Sequence, residues 1–346
     1  VEVGGASVEK DEAGCGDRVG RLAQPMARRE TRRITFETLR EQRGFRNTGN
    51  ENRIVDNGTF LNNTEFAPVL GMSHDGLLAD RAKRRKYGLP PELRPAKLED
   101  EGARAFNGLR RDSDWVNSDI TVSTSADQLA IAPGYRESET VAHGRRTVRY
   151  VSDAPIQNFF SVQSARYQVA TDRWQDVELA IYHDPAHAYN VERMTRAMKA
   201  SLDYFTTNFS PFQFRQVRIL EFPAYEDFAQ SFANTVPYSE GIGFIADYDD
   251  TEDAADKIDM VTYVTAHEIG HQWWGHQVTS ADQQGGTFLV ESLAQYSALM
   301  VMEQMYGPEQ IRKFLKYELD KYLRRRGGEV IEELPLVRVE DQGYIH

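Results

Sequence analysis

The residues best placed to do chemistry lie between Val261 and Gly275, a stretch that contains His267-Glu268-Ile269-Gly270-His271. On an α-helix, positions four apart differ by about 40°, so His267 and His271 point to one side. Two imidazoles there can bind a single Zn²⁺. Glu268, next to the first of them, is placed to act on a metal-held water rather than on the metal. The helix around them is apolar (Val261, Val264, Ile269, Trp273), and the chain has only eight His. Two His and a Glu on such a helix are costly unless paired or metal-bound.

A catalytic site needs a third ligand. His276 follows closely, but five positions from His271 is about 140° round the helix. It also misses the longer His-x-x-Gly-x-x-His spacing, so it reads as a structural polar residue. Glu291 is the better ligand. It stands in the apolar, helical stretch Phe288-Leu289-Val290-Glu291-Ser292-Leu293-Ala294-Gln295-Tyr296, where a bare carboxylate wants a counter-charge. Two His and one Glu leave one zinc position open, the catalytic rather than the structural arrangement.

The stretch His267 to Gly275, followed at a distance by Glu291, resembles the gluzincin aminopeptidases, the group of membrane alanyl aminopeptidase and leukotriene-A4 hydrolase. Nineteen residues separate His271 from Glu291, one more than that family usually has. Leu289-Val290-Glu291-Ser292 still looks like the family's Leu-Asn-Glu-Gly, which puts the extra residue in the intervening loop. The family's Gly-x-Met-Glu-Asn element, whose Glu holds the substrate's free α-amine, has its counterpart in Pro237-Tyr238-Ser239-Glu240-Gly241-Ile242-Gly243. Glu240 takes the place of that Glu, with Ser239 and Gly241 where the family has Met and Asn. A carboxylate there would pair with an ammonium ion; its bland reading is a strand-edge Glu. The family's oxyanion-stabilising Tyr, in a Tyr-x-Lys-Gly setting, has no match. Tyr344-Ile345-His346 looks like the residues just before it, so that Tyr is expected beyond His346. Glu65 is a candidate for the loop that lines the cleft in related enzymes, against an ordinary surface role. The resemblance is closest to a bacterial branch fused to transporter permeases, which implies a membrane-associated parent chain.

The elements that must position these residues change character along the chain. Residues 1–185 read as short alternating strands, among them Arg33–Phe36, Thr147–Val151 and Val177–Tyr182, separated by turn formers such as Asn57-Gly58 and Pro133-Gly134. From 186 the period becomes helical: Val191, Met194, Met198 and Leu202 lie three and four apart. Val217 to Phe222 is a short apolar strand. Asp247 to Asp259 holds seven acidic residues in thirteen. It lacks the Gly and Glu of a calcium loop and reads as a solvated lead-in to the next helix. The expected fold is α+β: a truncated β-sheet N-terminal domain (1–185), then a thermolysin-like zinc peptidase domain (186–346) lacking its C-terminal helical part.

Composition sets bounds on function. The 346 residues carry 41 Lys+Arg and 53 Asp+Glu, a net charge of −12. The imbalance is confined to residues 151–346, at −14 against +2 for residues 1–150. An acidic half is a poor partner for nucleic acid. Arg81–Lys86 and Arg324–Arg326 are short basic runs flanked by acids, solvated ends rather than phosphate sites. Cys15 is the only cysteine, so neither a disulfide scaffold nor a thiolate cluster forms within the chain. No run of about 18 apolar residues occurs. The chain opens on Val1 and stops at His346 without a natural ending, and reads as a fragment.

These readings converge on a zinc-dependent peptidase. The resemblance makes it an aminopeptidase that releases N-terminal residues by attack of a zinc-activated water, on peptides with a free N-terminus. The competing expectations are a zinc-bearing but non-catalytic module for peptide binding or transporter assembly, and a zinc endopeptidase. The oligomeric state is not encoded legibly.

Overall fold

The computed structural model of the chain describes residues 2–4, 34–39, 53–71, 77–247, 258–328 and 333–340. Cys15, Tyr344 and most of the acidic run (248–257) lie outside them. Contacts divide the chain into two compact units: residues 1–68 with 114–166, and residues 69–113 with 167–346. The division thus falls elsewhere than at 185/186. The two strands that follow Arg166 pair with each other, and the second of them also pairs with Gln216–Phe222, a non-local choice that alternation does not reveal.

The first unit is built of strands β1 (Glu2–Gly4), β2 (Thr59–Asn62), β3 (Trp115–Val116), β4 (Asp119–Ser125), β5 (Leu129–Ile131), β6 (Tyr135–Ala142), β7 (Arg145–Val151), β8 (Ile156–Gln157) and β9 (Ser161–Ala165), with one short helix α1 (Asn63–Phe66). They form sheets of order β1-β4-β7-β6, β2-β9-β5 and β3-β8. Alternation decides which face is inward. Ile120, Val122 and Thr124 of β4 are buried, as are Val148 and Tyr150 of β7. His143 and Gly144 both have positive φ and close the tight β6–β7 hairpin. The expected strand Arg33–Phe36 does not form over its described part: residues 34–39 are irregular and Ile34 is exposed. Its alternation is local, and a strand also needs a neighbour to ladder with. Glu65 accepts from the Asn62 backbone N–H (2.8 Å) and pairs with Arg53, completing the cap of α1.

The second unit holds helix α2 (Arg81–Lys86), strands β10 (Gln168–Trp174), β11 (Val177–His183), β12 (Gln216–Phe222) and β13 (Thr235–Ser239), and helices α3 (Val191–Asn208), α4 (Met260–Gly270), α5 (Leu293–Tyr306) and α6 (Pro308–Arg326). The sheet runs β10-β11-β12-β13, antiparallel at its first pair and parallel at the other two. Of the parallel strands, β12 and β13 are buried on both faces, whereas β11 alternates buried residues with exposed or half-buried ones. Their Leu179, Ile181, Val217, Ile219 and Val236 share one core with Met194, Met198, Leu202 and Phe205 of α3, the helical stripe legible in the sequence. Each large side chain buried there contributes about 1.5–3 kcal/mol.

Helix α4 is apolar all round, the pattern of a helix enclosed by its neighbours. Its start is fixed by Asp259, whose side chain accepts from the Thr262 backbone N–H (2.9 Å) and hydroxyl (2.6 Å), from Tyr306 Oη (2.7 Å) and from Arg193 (2.9 Å). One carboxylate therefore ties α3, α4 and α5 together. At the other end Gly270 lies against Ala294 of α5, with room for ordinary contact only. No described helix is long and apolar enough to cross a membrane.

Candidate metal centre

The last turn of α4 carries the two histidines. His267 is helical, and His271, the C-cap residue, keeps helical angles (φ −62°, ψ −18°) and donates its backbone N–H to His267 O at 3.1 Å. The four-residue spacing therefore survives to the helix end. It brings the two Nε2 atoms to 3.0 Å, with the rings nearly perpendicular at 86°. The chain just beyond is pinned. Gln272 Nε2 donates to Ser231 Oγ (2.6 Å) and to Phe232 O (2.8 Å), Trp273 Nε1 to Ser210 O (3.0 Å), and Trp274 Nε1 to Ser297 Oγ on α5 (2.9 Å).

Glu291 Oε2 completes a triangle, 3.5 Å from His267 Nε2 and 3.4 Å from His271 Nε2. It stands in a π-helical turn, Phe288–Ser292, that leads into α5; the Leu293 N–H reaches back to Phe288 O. A π turn closes on i→i+5 and so holds one residue more than an α turn.

The triangle fits a metal ion. Its edges are close to the roughly 3.3 Å set by tetrahedral bonds of about 2.0–2.1 Å to nitrogen and oxygen. His271 Nδ1 lies 2.9 Å from the Trp274 carbonyl, which keeps a proton on Nδ1 and leaves Nε2 as the nitrogen that would meet a metal. Electrostatics agree. Burial would raise the Glu291 carboxyl, but the two imidazoles hold it well below its ordinary value. Burial and the neighbouring His271 lower His267. Burial opposes protonation of His271 too, yet the Glu291 carboxylate carries it up to about 9.

Glu268 lies beside this triangle, only 5% exposed. Its Oε2 is buried without a hydrogen-bond partner among the described residues, and burial pushes the carboxyl up to about 7. A carboxylate poised there can take and return a proton near neutrality. A cleft of about 200 Å³ opens at His267 and Glu291, lined also by Tyr263, Gln295, Tyr317 and Lys321. Gln295 and Tyr263 both donate to Glu318 Oε1, at 2.8 and 3.0 Å.

His276 stays out of the triangle. It is buried, its Nε2 lies 3.1 Å from Ser231 O, and burial pulls it down to about 4. Glu240, just after β13, belongs to a second group with His187 and Glu221. Its Oε1 accepts from the Ala224 backbone N–H at 2.9 Å. Sequence reasoning missed His187, Glu221, Tyr317 and Lys321, which sit far from the motif along the chain. The one available signal was Glu221, a charge inside the apolar strand Val217–Phe222.

Residues 189–337 match the sequence profile of the Peptidase family M1 domain. Among solved structures, an M1 zinc metallopeptidase from Deinococcus radiodurans superposes with TM-score 0.50 at 19% identity, over 68% of this chain and 50% of its own. A point mutant of that M1 zinc metallopeptidase gives 0.48 at 19%, over 66% and 48%. The chain thus spans about half the length of these relatives. A search of the curated proteins gave no significant match.

Proposed function

We propose, from the match of residues 189–337 to the Peptidase family M1 domain, that the chain carries the zinc-binding core of an aminopeptidase. The observation that supports this best is the convergence of His267, His271 and Glu291 beside the buried, partnerless Oε2 of Glu268. His267, His271 and Glu291 would hold Zn²⁺, which supplies Lewis acidity and lowers the pKa of water.

The chain's own residues do the rest. Glu268 takes a proton from the attacking water and returns it to the leaving nitrogen, which its position near neutrality suits. Apolar α4 and its neighbours keep bulk water from that carboxylate, which strengthens each charge interaction at the site. Glu240 pairs with the substrate's α-ammonium and so restricts cleavage to peptides with a free N-terminus. Attachment to a permease rests on the family resemblance. Membrane fractionation of the parent protein tests it: recovery in the membrane pellet supports it, and recovery in the supernatant rejects it.

The test of the activity compares free-amine peptides with their N-acetylated copies, using the full-length parent and Glu268→Gln as the blank. Cleavage of free-amine peptides alone, abolished in the variant, is the expected result. Equal cleavage of both would make it an endopeptidase. No cleavage with zinc bound would make it a peptide-binding module.

A further inference from the structure

Helix α4 supplies His267 and His271, and the turn that leads into α5 supplies Glu291, so the triangle exists only while the two helices keep their spacing. Little at Glu291 itself enforces it. None of the five side chains of its π turn is buried, and the Glu291 side chain is 37% exposed. On the His271 side the helices are tied by Trp274 Nε1, which donates to Ser297 Oγ at 2.9 Å. On the His267 side the tie comes from a third helix, α6.

Tyr263 lies one turn before His267 on α4, and Gln295 one turn after Glu291 on α5. All four line the same cleft. Glu318 of α6 gathers the outer two on one oxygen. Its Oε1 accepts from Tyr263 Oη at 3.0 Å and from Gln295 Nε2 at 2.8 Å, and Gln295 Nε2 also donates to Tyr263 Oη. Phe314, buried one turn earlier on α6, packs its ring on that of Tyr263 with centroids 4.9 Å apart, which delivers Glu318 to this point. Burial and the Glu318 charge push the Tyr263 hydroxyl far above the ordinary tyrosine range, so it stays a donor. Lys321, almost one turn further on, stands 3.8 Å from the other carboxylate oxygen.

We propose that Glu318 is a positioning residue for the metal centre: by gathering Tyr263 and Gln295 it fixes the separation of His267 from Glu291. It makes no hydrogen bond or ion pair with the three ligands and acts through the helix turns that carry them. The inference rests on the metal centre proposed above. Donors to an ion must be held within about 0.5 Å of their working geometry. Removing the shared acceptor leaves two donors without their common partner and lets that separation spread.

The test reads metal rather than peptide. In the full-length parent, Zn²⁺ affinity is measured by competition with a chelating dye, and the visible spectrum of bound Co²⁺ reports donor geometry. His267→Ala identifies the ion that belongs to this centre. Glu318→Ala is expected to weaken that ion by about tenfold, the lower end of what outer partners contribute, and to change the Co²⁺ spectrum. Glu318→Gln keeps an oxygen for both donors and is expected to restore affinity and spectrum. A role in stability alone would lower the urea midpoint of Glu318→Ala yet leave affinity and spectrum of the folded protein unchanged, and that result overturns the inference. So does a Glu318→Gln protein as weak as Glu318→Ala. Should Glu318→Ala not fold, Tyr263→Phe, which keeps the packed ring and removes one donor, decides by the same two readouts. A parent whose ion His267→Ala does not release would instead overturn the metal centre itself, and this inference with it.

Discussion

His271 Nδ1 lies 2.9 Å from the carbonyl oxygen of Trp274, three residues on. That contact keeps a proton on Nδ1 and turns Nε2 toward Glu291, so a metal would displace only the Nε2 proton that the Glu291 carboxylate stabilises. The Trp274 indole in turn donates to Ser297 on α5, so the carbonyl is held by the same helix that begins at the third donor. Orientation of a ligand by an outer partner is worth about 10–100-fold in metal affinity.

Loss of a donor should therefore cost more than that. Glu291→Gln is expected to weaken zinc binding by well over ~100-fold, judged against that outer-partner range. Glu268→Gln should leave zinc affinity within a few fold while removing about 10²–10⁴ of any hydrolytic rate. Competition against a chelating dye reads the first effect. If Glu268→Gln lost the metal as Glu291→Gln does, Glu268 would be a ligand rather than a base.

His276 predicts an acid-sensitive fold. Burial depresses it from 6.5 to about 4, so between those values the unfolded chain binds the proton that the folded chain refuses. The His276 contribution is whole above pH 6.5 and is lost as pH falls toward 4, on the order of 3 kcal/mol in total. Urea titrations at pH 7 and pH 5 should show a smaller loss in His276→Gln than in the parent.

Two glycines near the sites should respond oppositely to an added methyl. A Cβ on Gly243 would lie 2.4 Å from Tyr238 Cε1 and 2.6 Å from Met194 Cε, both fully buried. Gly243→Ala should cost about 1–3 kcal/mol by overpacking. On Gly270 the nearest atoms of Ala294 are 3.5 Å away, so Gly270→Ala should be neutral or gain up to about 1 kcal/mol of helix propensity. Denaturant midpoints measured side by side check the contrast.

Asp259→Ala should be among the most damaging changes in the second unit. It removes the α4 cap and leaves Arg193, with its side chain 11% exposed, without its partner at Asp259. A loss of about 3–5 kcal/mol is expected from breaking such a buried pair. Tyr306→Phe, which keeps the pair, should cost only about 1 kcal/mol. Equal losses in the two variants would show that the ion pair is not what holds α3 to α4.

Much of the proposed metal centre was legible because its constraints are local. The i, i+4 histidines follow from helix geometry, and Glu291 stood out as a lone charge in an apolar helix. The stripe Met194, Met198, Leu202 announced α3 by its period alone. What escaped the sequence is non-local. His187 comes 34 residues before Glu221 and 53 before Glu240, and neither spacing has a meaning until β12 and β13 are paired. The π turn escaped as well, since nothing in Phe288–Ser292 distinguishes an i→i+5 ladder from an α one.

Residues 69–113 joined the second unit through contacts of the same long reach. Ala96 bridges to Gln283, Asn107 to Ala281, and Arg94 and Lys97 both hold Glu340. The two units are thus threaded through each other along the chain, each made of two stretches that the other interrupts. No single cut releases either one whole. A protein begun at residue 186 would lack β10, β11 and the segment that holds Glu340. During synthesis, the ribosome must finish the first unit's last strands before the second unit's earliest segment meets its partners. That segment must wait, with its binding surface not yet made, for more than a hundred and sixty residues of chain.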